Sequence, residues 1–115
     1  MKRLNTRLLG VDQGEAVLFS EFESGGTMWT GEGERSRTQA VVFSERFRAP
    51  PAVQCALSMW DIDNSTNARV EVSAEAITEE GFTVVFRTWA DTHVARARVC
   101  WMAIGEVSGD EDWDV

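Results

Sequence analysis

The chain has no tyrosine, only two cysteines, two prolines and one histidine, and no apolar run long enough to cross a bilayer as a helix. Each scarcity removes a class of function. Cys55 and Cys100 are too few and too far apart for a zinc cluster or a disulfide framework, so two free thiols are expected. With His93 as the sole histidine, no paired serine–histidine arrangement stands out, and no nucleotide or phosphate-loop motif is present. Basic charge is also short: 11 Lys and Arg against 19 Asp and Glu give a net charge of -8, which repels a phosphate backbone, so nucleic acid is not an expected partner. Lys2 and Arg3 precede only Leu8-Leu9, far short of a signal-peptide apolar segment, and neither that export route nor membrane insertion is expected. No cofactor and no metal are expected. Asp61-Ile62-Asp63-Asn64 has the acidic spacing of a calcium loop but lacks its glycine and distal glutamate. Asn64-Ser65-Thr66 matches a glycosylation acceptor, which matters only on a secretory route.

What is present is a pattern of strands. With 115 residues, 43% apolar and 10% aromatic, the chain can fill one core. Ala16 to Phe19 is the first expected strand, inside the mixed stretch Val11 to Phe22. A glycine-rich stretch follows, with Gly25-Gly26, Gly31 and Gly33 around Met28-Trp29, and reads as a connecting loop. Thr38 to Phe43 forms a second strand, and Pro50-Pro51 ends ladder bonding after it. Val53, Cys55, Leu57 and Met59 alternate with polar or small residues, as do Val70, Val72 and Ala74, and the pair Glu79-Glu80 with Gly81 turns the chain into Phe82. The expectation is six antiparallel strands, no helix, and an all-β sandwich or barrel.

The densest signal lies between residues 82 and 104. Phe82, Val84 and Phe86 fall on one face of a strand, and Ala97, Val99, Trp101 and Ala103 on one face of the next. The two read as a hairpin whose tip, Thr88-Trp89-Ala90-Asp91-Thr92, presents an indole, a carboxylate and hydroxyls. Asp91 and Thr92 are expected to cap that turn locally, and His93 to be an exposed turn residue. Cys55 shares the face of Val53 and Leu57, whereas Cys100 lies opposite Val99. By the same alternation Trp60, Val85, Trp89, Met102 and Ile104 face away from the core and need a second cover, for which subunit contact is the economical source.

Several landmarks occur in a specific order: Phe43 and Phe47 before Pro50-Pro51-Ala52-Val53, Asp61 at a strand end, Asn67-Ala68-Arg69-Val70, Thr78-x-x-Gly81-Phe82, Thr88-Trp89-x-Asp91-Thr92, and Trp101-Met102-Ala103-Ile104-Gly105. Together, over about Thr38 to Gly105, they resemble the H-type lectin family, which includes snail agglutinins and the C-terminal domain of discoidins. The resemblance implies a six-stranded antiparallel β-sandwich that forms a homotrimer and binds galactose or N-acetylgalactosamine in clefts between subunits. It implies carbohydrate-binding roles for Glu32, Arg69 and Trp89, with Ala90 and Asp91 on the same rim; Glu34 is the alternative early-loop acid. The chain departs from the pattern at Ala90, where the sugar-binding snail members often carry histidine, and at Ala95, where an aromatic stands. His93 and Arg35 are the nearby residues placed to compensate.

The division expected is an N-terminal strand and glycine-rich loop over 1–37 packed on the domain, a lectin-like sandwich over 38–105, and an acidic tail over 106–115. The function expected is a non-enzymatic lectin acting outside the cell or on a particle surface, with glycans as partners; the rival is a trimeric attachment knob of a fibre or particle. A glycosidase built on Glu32 and Glu34 as paired carboxylates is the enzymatic reading weighed against these.

Overall fold

The computed structural model describes residues 1–4, 8–21 and 24–109; Trp113 and the rest of the acidic tail beyond Gly109 lie outside them. Six strands form: β1 (Leu9–Ser20), β2 (Arg35–Val42), β3 (Ala52–Ile62), β4 (Val70–Glu75), β5 (Gly81–Thr88) and β6 (Val94–Glu106), with one four-residue helix, α1 (Thr27–Thr30), between β1 and β2. The helix departs from the loop expected there. Met28, fully buried on it, anchors this turn beside Phe19, Phe86 and Val94.

The strands make two antiparallel sheets, ordered β1-β6-β3 and β2-β5-β4. β5 and β6 therefore do not pair with each other. The expected hairpin is an arch that crosses from one sheet to the other, because β5 bonds to β2 and β4 while β6 bonds to β1 and β3. A period of two fits both arrangements: each strand buries one face, whether its sequence neighbour lies beside it or opposite it. Opposed, the two faces build the core. Phe82 and Val84 of β5 pack with Val99 and Ala103 of β6, closed by Phe43 and Phe47, and each of the buried Phe and Val side chains contributes about 1.5–3 kcal/mol. Phe43 stacks on Phe82 at 5.9 Å and meets Phe47 edge-on at 5.0 Å. At Gly81 a Cβ would lie 2.1 Å from the Val41 carbonyl oxygen, so this ladder position accepts only glycine.

Connectivity fixes where the loops go. The links β1–β2, β3–β4 and β5–β6 each cross between sheets, and all three do so at one end of the sandwich, since Ser20 and Asp61 both pair with Arg96 while Arg35 and Val70 both pair with Thr88. The links β2–β3 and β4–β5 occupy the other end.

The two outer faces differ. Outside β1-β6-β3, the cross-strand sets Val11–Ile104–Ala52 and Gln13–Met102–Gln54 are apolar or uncharged, and Val11, Val17 and Met102 are exposed. Outside β2-β5-β4, Arg87 pairs with Glu71 at 3.2 Å and Glu75 at 3.0 Å. Val85 was expected outward and uncovered; it does face outward, but on the central strand, with Thr38 and Ser73 as cross-strand neighbours it is only 8% exposed. Cys55 and Cys100 are free thiols on opposite faces of their sheet, and burial raises the Cys55 pKa, with Cys100 adding to the effect.

Candidate functional site: three arches at one end

The β5–β6 arch, Trp89 to His93, is the middle of three crossings, flanked by the β1–β2 link on the β2 side and the β3–β4 link on the β4 side. Its shape depends on Ala90, which sits in the left-handed region at φ 58°, a conformation that costs a non-glycine residue about 1 kcal/mol. Trp89 is 40% exposed at its crest.

On the β4 side, Asp91 receives Arg69 Nη1 at 2.8 Å and Asn67 Nδ2 at 3.2 Å. Thr92 is fully buried; its hydroxyl donates to the Asn67 carbonyl at 2.5 Å and accepts the Arg69 backbone N–H at 3.0 Å. Thr88, also fully buried, donates to the Arg69 carbonyl at 2.7 Å. Arg69 is thus held through its N–H, its carbonyl and its guanidinium, and its side chain stays 40% exposed with donors left over. Thr92 and the Asp91 carboxylate reach across to the next arch instead of only capping their own turn. The net effect on the Asp91 carboxyl is a lowered pKa: desolvation pushes it up, but the hydrogen bonds from Asn67 and from backbone N–H groups, with the Arg69 charge, outweigh that.

On the β2 side, the Gly33 N–H donates to the Ala90 carbonyl at 2.9 Å. Gly33 itself has φ +77°, the left-handed turn that brings this backbone against the arch. Arg35 extends the clamp: its guanidinium donates to the carbonyls of Gly33 (2.9 Å), Thr92 (2.8 Å), Ala90, Thr27 and Met28 (3.4 Å each). Burial lowers the Arg35 pKa and the Glu32 charge opposes this. Beneath, Glu21 accepts the Met28 N–H at 2.7 Å and Arg37 at 2.5 Å, which fixes α1. Glu32 and Glu34, on either side of Gly33, are exposed.

The structure therefore brings Arg69, Trp89, Ala90 and Asp91 together and sets Glu32 on the opposite flank of the same arch. Ala95 is buried, 2% exposed, on the returning strand. His93 is partly buried rather than an exposed turn residue: its ring meets Trp29 edge-on at 6.5 Å, and its Nδ1 lies 3.9 Å from Asp63. Asp61 and Asp63 diverge, Asp61 to Arg96 at 3.3 Å and Asp63 to Ser65, and no group of three metal-ligating side chains occurs among the described residues. Asn67 is the part of the site that the sequence reading does not assign; Arg35, expected to compensate for the missing sugar contacts, instead clamps backbone carbonyls. The sequence signal for Asn67 was its place in Asn67-Ala68-Arg69; nothing marked Arg35 as a clamp. A groove of about 570 Å³ lies away from the arches, on the outer face of β1-β6-β3, with Gln13, Glu15, Gln54, Cys100 and Met102 in its lining.

Comparison with known proteins gives a consistent picture. Residues 38–104 match the H-type lectin domain. A protein of Fuscovulum blasticum named "ATP synthase subunits region ORF 7" is 52% identical over 107 residues, 93% of each chain; that name states no activity. Among solved structures, recombinant discoidin II of Dictyostelium discoideum superposes with a TM-score of 0.76 at 22% identity, over 94% of this chain and 41% of that one. The tailspike protein gp49 of Pseudomonas phage LKA1 matches at 0.52 and 16% identity, over 87% of this chain and 15% of that one. The chain thus spans less than half of either structural neighbour, and at these identities the likeness is one of fold.

Proposed function

The chain belongs to the H-type lectin domain family, a carbohydrate-binding fold, and on that premise we propose that it is a non-enzymatic lectin for galactose or N-acetylgalactosamine, with its sites at the subunit boundaries of a homotrimer. The observation that carries the reading is the pairing of Arg69 with Asp91 on one flank of an arch that has the exposed Trp89 at its crest and Glu32 on its other flank. A sugar offers paired hydroxyls and an apolar face, which suit a planar donor, a carboxylate and an indole. Ala90 is the exposed rim position between Trp89 and Asp91.

The two flanks lie on opposite sides of β5, toward β2 and toward β4. One ring of sugar is more easily shared by Arg69 and Trp89 of one protomer and Glu32 of the next than by both flanks of one arch. Joining unlike flanks head to tail gives a ring when the rotation between protomers closes, and closure at three is what the family implies. The exposed Val11 and Met102 outside β1-β6-β3, beside the Arg96–Asp61 and Arg98–Glu15 pairs of the same face, supply surface for such an assembly to cover. A single site of this kind binds at about millimolar, near -4 kcal/mol, so useful adhesion comes from several sites acting together, with gains of about a hundredfold or more.

A second reading has its own support. Arg69 is already paired with Asp91, and Ala90 and Ala95 offer no polar group, as in an attachment knob that uses the same surfaces for assembly. A glycan array with the intact protein separates the two. The lectin reading expects binding that is lost in both Arg69→Ala and Trp89→Ala while light scattering shows the assembly unchanged; no binding to any glycan at high valency favours the knob.

A further inference from the structure

Resting on the lectin reading above, we propose that the three-arch site selects glycans by charge, preferring a sugar that carries a protonated amine over a neutral one and rejecting a carboxylated one. Each described cation at this end has a partner, and Arg69 keeps spare donors beside its own. The Arg35 guanidinium is occupied by five backbone carbonyls, Arg37 by Glu21, Arg69 by Asp91 and Arg96 by Asp61. Glu32 and Glu34 are exposed on the loop beside Ala90, and among the described residues neither has an ion-pair partner; Glu32 acts on Arg35 only through its field. The exposed indole of Trp89 adds a negative ring face that attracts a cation and repels an anion, and the chain's net charge of -8 gives a long-range field of the same sign.

An incoming carboxylate thus meets two exposed carboxylates and, among the described residues, only the donors that Arg69 keeps beside Asp91, while an ammonium meets the carboxylates directly. Neutral hydroxyls still reach the remaining Arg69 donors, which leaves an ordinary sugar in between.

Three sugars of one ring shape test this: galactosamine, galactose and galacturonate, displayed at equal density on a polymer and titrated with the full-length protein. The expected order is galactosamine, galactose, galacturonate, with about tenfold between first and last at low ionic strength. The gap closes near 1 M salt, where the screening length is about 3 Å. Glu34→Gln, an exposed substitution checked by an unchanged melting temperature, lowers the galactosamine-to-galacturonate ratio. Galacturonate binding as tightly as galactosamine overturns the charge selection and leaves the lectin reading standing. Absence of binding to all three, and to every glycan of a broad array, overturns both.

Discussion

Thr92→Val tests how the site is held together. The substitution keeps the shape of a fully buried side chain and removes the hydroxyl that serves the Asn67 carbonyl and the Arg69 N–H at 2.5 Å and 3.0 Å. Leaving each of these half-buried backbone groups without its partner costs about 1–1.5 kcal/mol, so the pair together costs about 2–3 kcal/mol. For a domain of this size that lowers the melting temperature by roughly 8–12 °C. Thr92→Ser is the control: it keeps both hydrogen bonds and removes one methyl, at about 1 kcal/mol. Urea unfolding of both variants at one fixed protein concentration gives the comparison, since assembly makes stability concentration-dependent. If Thr92→Val is no less stable than Thr92→Ser, the bridge from the central arch to Asn67 and Arg69 is not what holds that segment.

Two further outcomes are expected. Ala90→Gly relieves the φ of 58° and raises stability by about 0.5–1 kcal/mol in thermal melts; an unchanged or lower stability contradicts the strain. The Asp91, Asp63 and Glu75 carboxyls all have lowered pKa values in the folded protein, so their stabilising contribution is complete above the unfolded values and is lost as pH falls through the folded ones. Stability therefore stays level from neutral pH down to about 5 and drops below about 4. Denaturant melts of Asp91→Asn show a shallower acid slope; identical slopes would remove Asp91 from that account.

Strand number and core alternation were legible because each strand buries one face, and the positions of Phe82, Val84, Phe86, Val99 and Ala103 state which. Pairing was not legible. Whether Phe86 and Ala97 lie side by side in one sheet or face each other across two depends on partners far away in sequence, and the local period of two is the same in both cases. The arch misread as a hairpin is the direct result. At the arches, ordered landmarks pointed to Trp89 and Arg69, whereas the clamping role of Arg35 left no signal, because its five acceptors are backbone carbonyls that carry no residue signature. The same reasoning explains Thr92: a threonine after Asp91 looks like a turn cap until the β3–β4 link is brought beside it.

Under the proposed function a sugar is held between Arg69 and Trp89 of one protomer and Glu32 of the next. Co-expression of Glu32→Ala chains with Arg69→Ala chains, followed by titration with a multivalent galactoside, measures this most directly. Each variant alone binds nothing. In randomly mixed rings roughly a quarter of the boundaries unite two intact flanks, and the account predicts binding restored at about that fraction of wild-type capacity. Mixed rings that form, as shown by dual affinity tags, yet bind no more than either variant alone would contradict it.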